Sequence, residues 1–359
     1  MTIRPDAPHA TPSPETTVTQ DSAPGSRSIS PTWHMTQVIW GAMRVQAISV
    51  AAALGIADLV AERPRTPDEL AVMTNTHAAT LRRLLRAIAT LAIFAEDAEG
   101  RFVNTPLSET LRANHPASVR PLAMMWGRPM FWAPWGDFRE TVNTGDRAFD
   151  RVFHEPFFDR LGHEAEDASV FNAAMGSFSE LELSAVLAAY DFSRFSRLVD
   201  VGGGRGALLN GILTATPGLH GVLYDLPAVV GDGTGLVVSP SPKCEIVAGN
   251  FFETVPVGAD VYVLKRIIHD WNDTDAHTIL STCRRAIRQD GTLVLIEWVL
   301  RPPNEPDLGK FMDLHMLVTL GGRERTESEF RGLLAGAGFV LTRVIPTGGP
   351  HSIVEARPV

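Results

Sequence analysis

A short apolar strand that runs directly into a glycine-rich turn constrains the fold of this chain more than any other segment. Residues 198–206 read Leu-Val-Asp-Val-Gly-Gly-Gly-Arg-Gly. Glycines in the turn let the backbone reverse tightly and let a ligand approach closely, since no Cβ stands in the way. Apolar residues at helical spacing from Ala207 to Thr214 predict that the turn opens a helix.

This turn predicts a cofactor that carries an amino-acid group. The carboxylate of Asp200 suits an ammonium and would repel a pyrophosphate, and Gly206 supplies a third glycine, so both features favour S-adenosylmethionine (SAM) over NAD. Gly202, Gly204 and Ala207 also satisfy the Gly-x-Gly-x-x-Ala dinucleotide pattern, which leaves NAD as an alternative. An ordinary cluster of loop glycines is another.

A second strand that ends in an acid supports a nucleoside in the ligand. Residues 222–227 read Val-Leu-Tyr-Asp-Leu-Pro, and Asp225 lies 23 positions after Gly202. In doubly wound sheets an acid about 20 residues after such a turn meets the ribose hydroxyls. Asp225 is therefore predicted to be the ribose ligand, with a solvated aspartate at a strand end as the alternative.

From residue 198 onward, apolar strands alternate with helical segments. This rhythm predicts an α/β fold with a mostly parallel, Rossmann-like sheet covered on both faces. Its ligand then lies at the carboxyl ends of the strands. The predicted strands are 198–201, 221–224, 244–247, 261–264, 292–297, 339–345 and 352–356.

The N-terminal third is predicted to be helical and winged-helix-like, after a disordered tail over residues 1–30 that is mostly Pro, Ser, Thr and Ala. An all-round apolar helical pattern over 33–54 predicts part of a homodimer interface. Thr66-Pro67-Asp68-Glu69 is a capping box that opens one helix, a second helix carries Leu81, Leu84, Leu85, Ile88 and Leu91, and residues 100–105 predict the return strand of a hairpin.

Composition and charge exclude several classes of protein. The formal net charge is −9, and between Pro67 and His115 five arginines stand against six acids, so a nucleic-acid partner is not expected. Cys244 and Cys283 lack metal-ligand spacing and are predicted to be buried apolar side chains, with no metal site. No stretch reaches the roughly 18 apolar residues of a membrane span, and no signal peptide is recognisable, so a soluble, cytoplasmic protein without a membrane partner is predicted.

His269 is the predicted general base. It follows the fourth predicted strand, Glu297 ends the fifth, and Glu324 lies in a loop before a helix that the pattern Thr326-x-x-Glu329 would cap. A general base needs one imidazole nitrogen facing the substrate proton while an acid orients the other. A satisfied core or surface histidine is the alternative.

Aromatic side chains and methionines crowd residues 120–190, and most of them are expected to form core. Some of them are predicted to wall a pocket for a flat aromatic ligand, through stacking and sulfur–ring contacts, with core packing as the alternative for each. The candidate substrate contacts are Trp132, Phe171, Met175, Met312, His315 and Met316, together with Asp270, which is interpreted mainly as the N-cap of a helix over 272–287.

These motifs resemble the SAM-dependent O-methyltransferases that include plant caffeate and flavonoid enzymes and bacterial polyketide and phenazine tailoring enzymes. The resemblance covers residues 33–356. It rests on Val-Asp-Val-Gly-Gly-Gly-x-Gly (199–206), Asp-Leu-Pro (225–227), Leu-Lys-x-Ile-Ile-His-Asp-Trp (264–271) and Gly-Gly-Arg-Glu-Arg-Thr (321–326).

The resemblance implies a homodimer formed through an all-helical N-terminal domain, with S-adenosylhomocysteine (SAH) as the product left by SAM. It also implies that His269 is the base flanked by two glutamates, and that Phe171 and Met175 touch the substrate. The implied cofactor contacts are Asp200, Gly202, Gly204, Asp225, Leu226, Asn250, Phe251, Lys265 and Ser179. One position departs from the family: Asn250 replaces an aspartate, which keeps an acceptor for the adenine amino group but loses a charge.

The predicted function is methylation of a phenolic hydroxyl on an aromatic natural product. A phenol has a pKa of about 10, so it is mostly protonated near pH 7 and a nearby base would help to remove its proton. The alternatives are a family relative that hydroxylates or decarboxylates, N- or C-methylation, an NAD-dependent oxidoreductase and a non-enzymatic regulator. The predicted organisation is a tail (1–30), a dimerisation domain (31–118), a linker and substrate-pocket segment (119–180) and a SAM-binding catalytic domain (181–359).

Overall fold

The computed structural model describes residues 30–231, 233, 235–238 and 241–359. The predicted disordered tail lies outside these residues except for Ser30. The helices are α1 (Pro31–Ile39), α2 (Gly41–Ala53), α3 (Ile56–Leu59), α4 (Pro67–Thr74), α5 (Ala78–Ala89), α6 (Pro106–Glu109), α7 (Arg120–Gly127), α8 (Pro129–Gly136), α9 (Phe138–Thr144), α10 (Ala148–Phe153), α11 (Phe157–His163), α12 (Ala165–Ala189), α13 (Ala207–Ala215), α14 (Pro227–Val230), α15 (Asp273–Ala286), α16 (Gly309–Thr319) and α17 (Glu327–Gly336), with a 3₁₀ turn at Ile268–Asp270.

The strands are β1 (Phe94–Glu96), β2 (Phe102–Asn104), β3 (Arg197–Val201), β4 (His220–Asp225), β5 (Cys244–Ala248), β6 (Val261–Lys265), β7 (Thr292–Glu297), β8 (Val299–Leu300), β9 (Arg325–Thr326), β10 (Phe339–Pro346) and β11 (Ser352–Pro358). The seven strands of the C-terminal domain that were predicted from sequence are all present, with ends that differ by two residues or fewer.

One seven-stranded sheet organises the C-terminal domain, in the order β10-β11-β7-β6-β3-β4-β5. Strands β3 to β7 are parallel, and β11 runs antiparallel to β7. A parallel sheet must be covered on both faces, and two separate clusters of buried apolar side chains flank this one. The order steps outward from β3 in both directions, so the carboxyl ends of β3 and β6 border the crevice where such folds bind ligands.

The N-terminal domain has the predicted winged-helix-like elements. Thr66 caps α4 in a complete capping box with Glu69, and Leu85 of α5 is fully buried in a separate core. Strands β1 and β2 pair antiparallel as the small hairpin. The apolar pattern over 33–54 forms two helices and not one, because α1 ends at Ile39 and α2 begins at Gly41, a residue that disfavours a helix interior.

Helix α12 joins the linker segment to the catalytic domain. It runs without a break from Ala165 to Ala189, so the predicted boundary between residues 180 and 181 falls inside one helix. Cys244 and Cys283 are both free and buried, as expected for small apolar side chains. Among the described residues, no helix is both long and apolar enough to cross a membrane.

Candidate active site

The glycine turn after β3 has the geometry that its sequence predicts. Gly202 and Gly204 have φ values of 69° and 59°, a region that other residues adopt only with strain. A Cβ on Gly202 would lie 2.5 Å from Ile267 Cδ1, whereas a Cβ on Gly204 would meet nothing within 4 Å. The turn therefore has packed protein behind Gly202 and open space beside Gly204.

Asp200 is a buried carboxylate beside this turn. Its side chain is 1% exposed, and its Oδ2 atom has no hydrogen-bond partner among the described residues. Burial raises the pKa of Asp200 to about 7, against a partial opposing effect of the Lys265 ammonium. An unpartnered buried carboxylate is costly, so this position favours a ligand that brings a positive charge.

Asp225 ties the end of β4 to the glycine turn. One carboxylate oxygen accepts a hydrogen bond from the Gly204 amide at 2.7 Å, and the other accepts one from the Leu226 amide at 2.7 Å. Burial nevertheless raises the pKa of Asp225. Each oxygen keeps a second lone pair, which leaves the carboxylate able to accept hydroxyl donors.

Asn250 is engaged with its own loop. Its Oδ1 accepts a hydrogen bond from the Phe252 amide at 3.0 Å, and its Nδ2 donates to Glu253 Oε1 at 3.2 Å. Phe251 lies on the same side as the glycine turn, with Cε1 3.5 Å from the Cβ that Gly202 lacks. The amide at Asn250 is thus oriented by neighbours within the loop.

Lys265 ends β6 and points to α12. Its Nζ donates to Ser179 Oγ at 2.5 Å and lies 3.5 Å from Glu182 Oε2. Burial lowers the pKa of Lys265, while the charge of Glu182 acts in the opposite direction. Sequence reasoning missed Glu182, although its position three residues after Ser179 on one helix face was a usable signal.

His269 lies in the 3₁₀ turn after β6 and is enclosed by carboxylates. Its Nδ1 lies 2.7 Å from Glu324 Oε1, and its Nε2 lies 3.2 Å from Asp270 Oδ1. Burial alone would lower the pKa of this imidazole, but the charges of Glu324 and Asp270 outweigh burial and raise the pKa to about 9. The residue is 3% exposed, so these charges act with little screening by solvent.

Glu297 is close to His269 but contacts the backbone around it. Its Oε1 accepts hydrogen bonds from the amides of Ile267 at 3.1 Å and Ile268 at 2.9 Å. Burial raises the pKa of Glu297 to about 7. Glu324 thus meets the predicted geometry of an acid bound to the imidazole, whereas Glu297 holds the turn that carries it.

The loop before α17 explains how Glu324 reaches His269. Strand β9 pairs in parallel with β8, which begins two residues after Glu297, and carboxylate oxygens of Glu297 and Glu324 lie within 4.8 Å of each other. Gly322 allows a close approach, because a Cβ there would lie 2.1 Å from the carbonyl oxygen of His269. The amide of Arg323 then donates to that same carbonyl at 2.8 Å.

Arg325 is a buried positioning residue that sequence reasoning did not single out. It is 1% exposed, and its guanidinium donates to the carbonyls of Ile268 at 3.0 Å and Trp271 at 2.9 Å, on either side of His269. The same group pairs with Asp273 at 2.8 Å. Its place in the Gly-Gly-Arg-Glu-Arg-Thr motif was the available signal.

Asp270 is not the N-cap of α15. Asn272 takes that position, accepting hydrogen bonds from the amides of Thr274 and Asp275. Asp270 lies within the 3₁₀ turn, where burial raises its pKa and its carboxylate meets Nε2 of His269. The interpretation as a cap was wrong because the tight turn places the helix start two residues later.

Apart from Asp270, the predicted substrate side chains lie on three helices, α8, α12 and α16. Phe171 and Met175 of α12 pack against a buried aromatic and methionine cluster, where Phe171 stacks on Phe131 at 6.2 Å. His315 of α16 contacts Trp126 at a centroid distance of 4.6 Å, and its Nδ1 has no partner among the described residues. Of the others, Met316 is buried, Met312 is half-buried and Trp132 is 37% exposed.

The family is identified by two matched regions. Residues 135–340 match the O-methyltransferase domain, and residues 36–114 match the O-methyltransferase dimerisation domain. The chain belongs to this O-methyltransferase family. The second match supports a homodimer for this methyltransferase.

Bacterial biosynthetic enzymes are among the relatives of this methyltransferase. It is 44% identical to phenazine O-methyltransferase PhzM of Lysobacter antibioticus, over 90% of this chain and 95% of the relative. It is 41% identical to the mitomycin biosynthesis 6-O-methyltransferase of Streptomyces lavendulae, over 89% and 93% of the two chains. The 8-amino-8-demethylriboflavin N,N-dimethyltransferase of Streptomyces davaonensis is 38% identical, over 85% and 89%.

Solved structures confirm the fold and the cofactor. The methyltransferase CalO1 of calicheamicin biosynthesis, in its SAH-bound form, superposes with a TM-score of 0.82 at 34% identity, over 91% of this chain and 98% of that one. Human N-acetylserotonin methyltransferase in complex with SAM gives 0.85 at 26% identity, over 93% and 99%. This chain is a SAM-dependent O-methyltransferase of the secondary-metabolite type. The predicted fold and the predicted cofactor are both confirmed.

The residues around the glycine turn fit SAM. The orphaned carboxylate oxygen of Asp200 offers a partner to an ammonium, and the open space beside Gly204 leaves room for a ligand at the turn. Asp225, fixed by two backbone amides, offers acceptors of the kind that bind ribose hydroxyls. The carboxylate of Asp200 would repel an NAD pyrophosphate at this turn.

Proposed function

We propose that this enzyme methylates a phenolic hydroxyl of an aromatic small molecule in natural-product tailoring, with His269 as the general base. The observation that carries the proposal is the hydrogen bond between His269 Nδ1 and Glu324 Oε1 at 2.7 Å. Such a contact fixes the ring and stabilises the protonated imidazole that forms when a proton is taken up. We infer that Nε2, which also lies 3.2 Å from Asp270 Oδ1, is the nitrogen that meets the substrate.

The pKa of His269 suits a phenol. A phenol with a pKa of about 10 loses its proton readily to a base of similar strength. The pKa of His269, raised to about 9, places the imidazole close to that match. At pH 7 most of the enzyme carries a protonated His269, so the active form becomes populated as the pH rises towards 9.

The cofactor contributes a methyl group already activated by a sulfonium. We propose that Asp200 binds the ammonium, that Asp225 and Leu226 meet the ribose, and that Asn250 and Phe251 border the adenine. Gly202 and Gly204 shape the turn, with Lys265 and Ser179 at the next strand end. The enzyme then acts mainly by holding donor and acceptor in line and by removing one proton.

The candidate substrate side chains are mostly apolar. The rings of the acceptor would contact Phe171, Met175, Trp132, Met312 and Met316. Aromatic and sulfur contacts of this kind favour planar ligands. Asp270 and His315 add polar groups beside His269. A neutral amine is the second candidate acceptor, because an N,N-dimethyltransferase is 38% identical to this chain.

The test pairs binding with turnover. Calorimetric titration with SAH should show micromolar binding, and titration with NAD should show none. SAH release from SAM should then be measured over matched pairs of aromatic acceptors that carry either a hydroxyl or an amine at the same ring position. Methylation of amines alone, with the phenols inert, would contradict the proposal.

A further inference from the structure

A buried acid links the lysine at the end of β6 to a histidine in the β10–β11 loop. Glu182 of α12 is 4% exposed, and its Oε2 lies 3.5 Å from Nζ of Lys265. Its other oxygen lies 3.0 Å from Nδ1 of His351, which is 2% exposed. Three ionisable side chains from separate parts of the domain thus meet where at most 13% of any one of them is exposed.

Glu182 is the only carboxylate paired with Lys265 within the described part of the chain. Asp200 is the other acid whose charge acts on the lysine, and its own carboxylate tends to be protonated because burial raises its pKa to about 7. Arg266 is the neighbouring cation and acts against the lysine charge. Lys265 therefore depends on Glu182 to keep its proton in a site where burial favours the neutral amine.

His351 lies beside the oxygen of Glu182 that does not face Lys265. Burial lowers the pKa of His351, and His351, Lys265 and Arg266 together hold the pKa of Glu182 down to about 2 against burial. His351 Nδ1 and Glu182 Oε1 lie 3.0 Å apart, and neither atom has a hydrogen-bond partner among the described residues. A neutral Nδ1–H directed at Oε1 would satisfy both atoms.

Among the described residues, the cavity beside the pair adds no further counter-ion. A cavity of about 110 Å³ borders the pair, and its walls beyond Glu182 and His351 are mostly apolar or backbone: Phe178, Ala185, Val186, Thr347, Gly349 and Pro350. The guanidinium of Arg266 lies over the ring of Phe178, one turn before Glu182, at 5.1 Å. The same helix face is thus held to the carboxyl edge of the sheet by two cations.

We infer that Glu182, which lies between His351 and Lys265, is a positioning residue that keeps Lys265 charged and directed at Ser179. It contacts neither proposed reacting group and acts through the lysine. If Lys265 loses its proton, it loses the ion pair and one of its donors, and the link between α12 and the strand edge weakens.

The titration of Lys265 can be measured directly, because the chain has only three lysines, at positions 243, 265 and 310. Protein carrying carbon-13 at the lysine Cε should give three NMR signals, and Lys265→Arg assigns the buried one. In Glu182→Gln, the pKa of Lys265 should fall by about 1 unit or more relative to wild type. Glu182→Asp should restore part of the shift, while Lys243 and Lys310 serve as internal controls.

An unchanged Lys265 titration in folded Glu182→Gln would overturn the inference. If Glu182→Gln does not fold, the pKa of Lys265 is compared between wild type and Glu182→Asp. A lower pKa in Glu182→Asp supports the inference, and an unchanged pKa refutes it.

The consequence for the cofactor rests on the proposed function. If Lys265 is a cofactor contact, the ratio of wild-type to Glu182→Gln affinity for SAH should grow up to about tenfold for each unit of pH above the lowered lysine pKa. If the pKa of Lys265 falls but the ratio of SAH affinities does not change with pH, the proposed role of Lys265 is refuted. The inference about Glu182 would still hold.

Discussion

Two buried histidines of this methyltransferase lie in surroundings that drive their charges in opposite directions. His269 sits between the carboxylates of Glu324 and Asp270, which raise its pKa to about 9. His315 lies against the rings of Trp126 and Trp135, where burial lowers its pKa to about 3. One imidazole is a cation at neutral pH and the other is not.

The comparison shows that burial does not by itself decide the role of an ionisable group. Exposure is 3% for His269 and 8% for His315, so desolvation penalises both cations. The difference comes from the acids that the fold places against His269. A proton acceptor for a phenol needs those acids, whereas a neutral imidazole is suited to hydrogen bonding with a substrate.

Replacing the charged histidine, His269, should lower turnover more than any other substitution considered below. His269→Ala should lower kcat by about 10² to 10⁴, the usual contribution of a general base, while leaving SAM affinity close to wild type. His220→Ala, at an exposed histidine, is the matched control. Unchanged turnover in His269→Ala would rule out His269 as the base.

Removing the charge of Glu324 should make the electrostatic surroundings of His269 more like those of His315. In wild type, kcat/KM should rise with pH to a midpoint near 9, because the base must lose its proton first. Glu324→Gln should lower this midpoint by about 1–3 units, since the opposite charge is lost. A full pH profile of both proteins measures the shift.

Glu297→Gln is the matched variant for that experiment. Its amide oxygen can still accept from the Ile267 and Ile268 amides, so the turn keeps its shape. The midpoint should move less than in Glu324→Gln. An equal or larger shift would mean that the direct contact to Nδ1 is not what raises the pKa.

Asp200 extends the comparison to an acid without a counter-ion. Its ordinary pKa of 3.8 is raised to about 7 in the fold, so the apo-protein loses stability as the pH rises between these values. The free energy of unfolding of Asp200→Asn should therefore exceed that of wild type by about 1–3 kcal/mol at pH 8, and the two values should be equal near pH 3. Denaturant titrations at both values check this.

The same substitution should weaken SAH binding. If the carboxylate receives the ammonium of the ligand, Asp200→Asn loses that ion pair, and calorimetry should show a lower affinity at pH 8. A variant that is more stable but binds SAH as tightly as wild type would contradict the role of Asp200.

The smallest effect is expected at His315. Because this imidazole is neutral above about pH 3, His315→Phe should leave the midpoint of the pH profile in place. It should lower kcat/KM by up to about tenfold, the worth of one hydrogen bond, through KM. A shifted midpoint would show that His315 carries charge in the active enzyme.

The elements that sequence predicts well are those with a local cause. The strand ends at Val201, Lys265 and Glu297 follow from apolar runs, and the caps at Thr66 and Thr326 follow from four-residue patterns. The N-cap of α15 was misplaced by two residues. A 3₁₀ turn and a helix start share the same short polar segment, and no local pattern separates them.

Contacts between distant segments lie beyond such patterns. Glu182 and His351 are far apart in sequence, and only the docking of α12 on the sheet edge brings them together. Likewise, the sequence proposes two acids for His269, but their different tasks depend on whether each oxygen reaches the imidazole or the backbone.

The alternation of strands and helices, the glycine turn and the residue types at the strand ends can be predicted from sequence, because they depend on hydrophobic periodicity and on backbone freedom. Which of those residues are charged depends on the folded molecule. Ionisation is set by burial and by the nearest opposite charge, and both are properties of the assembled fold.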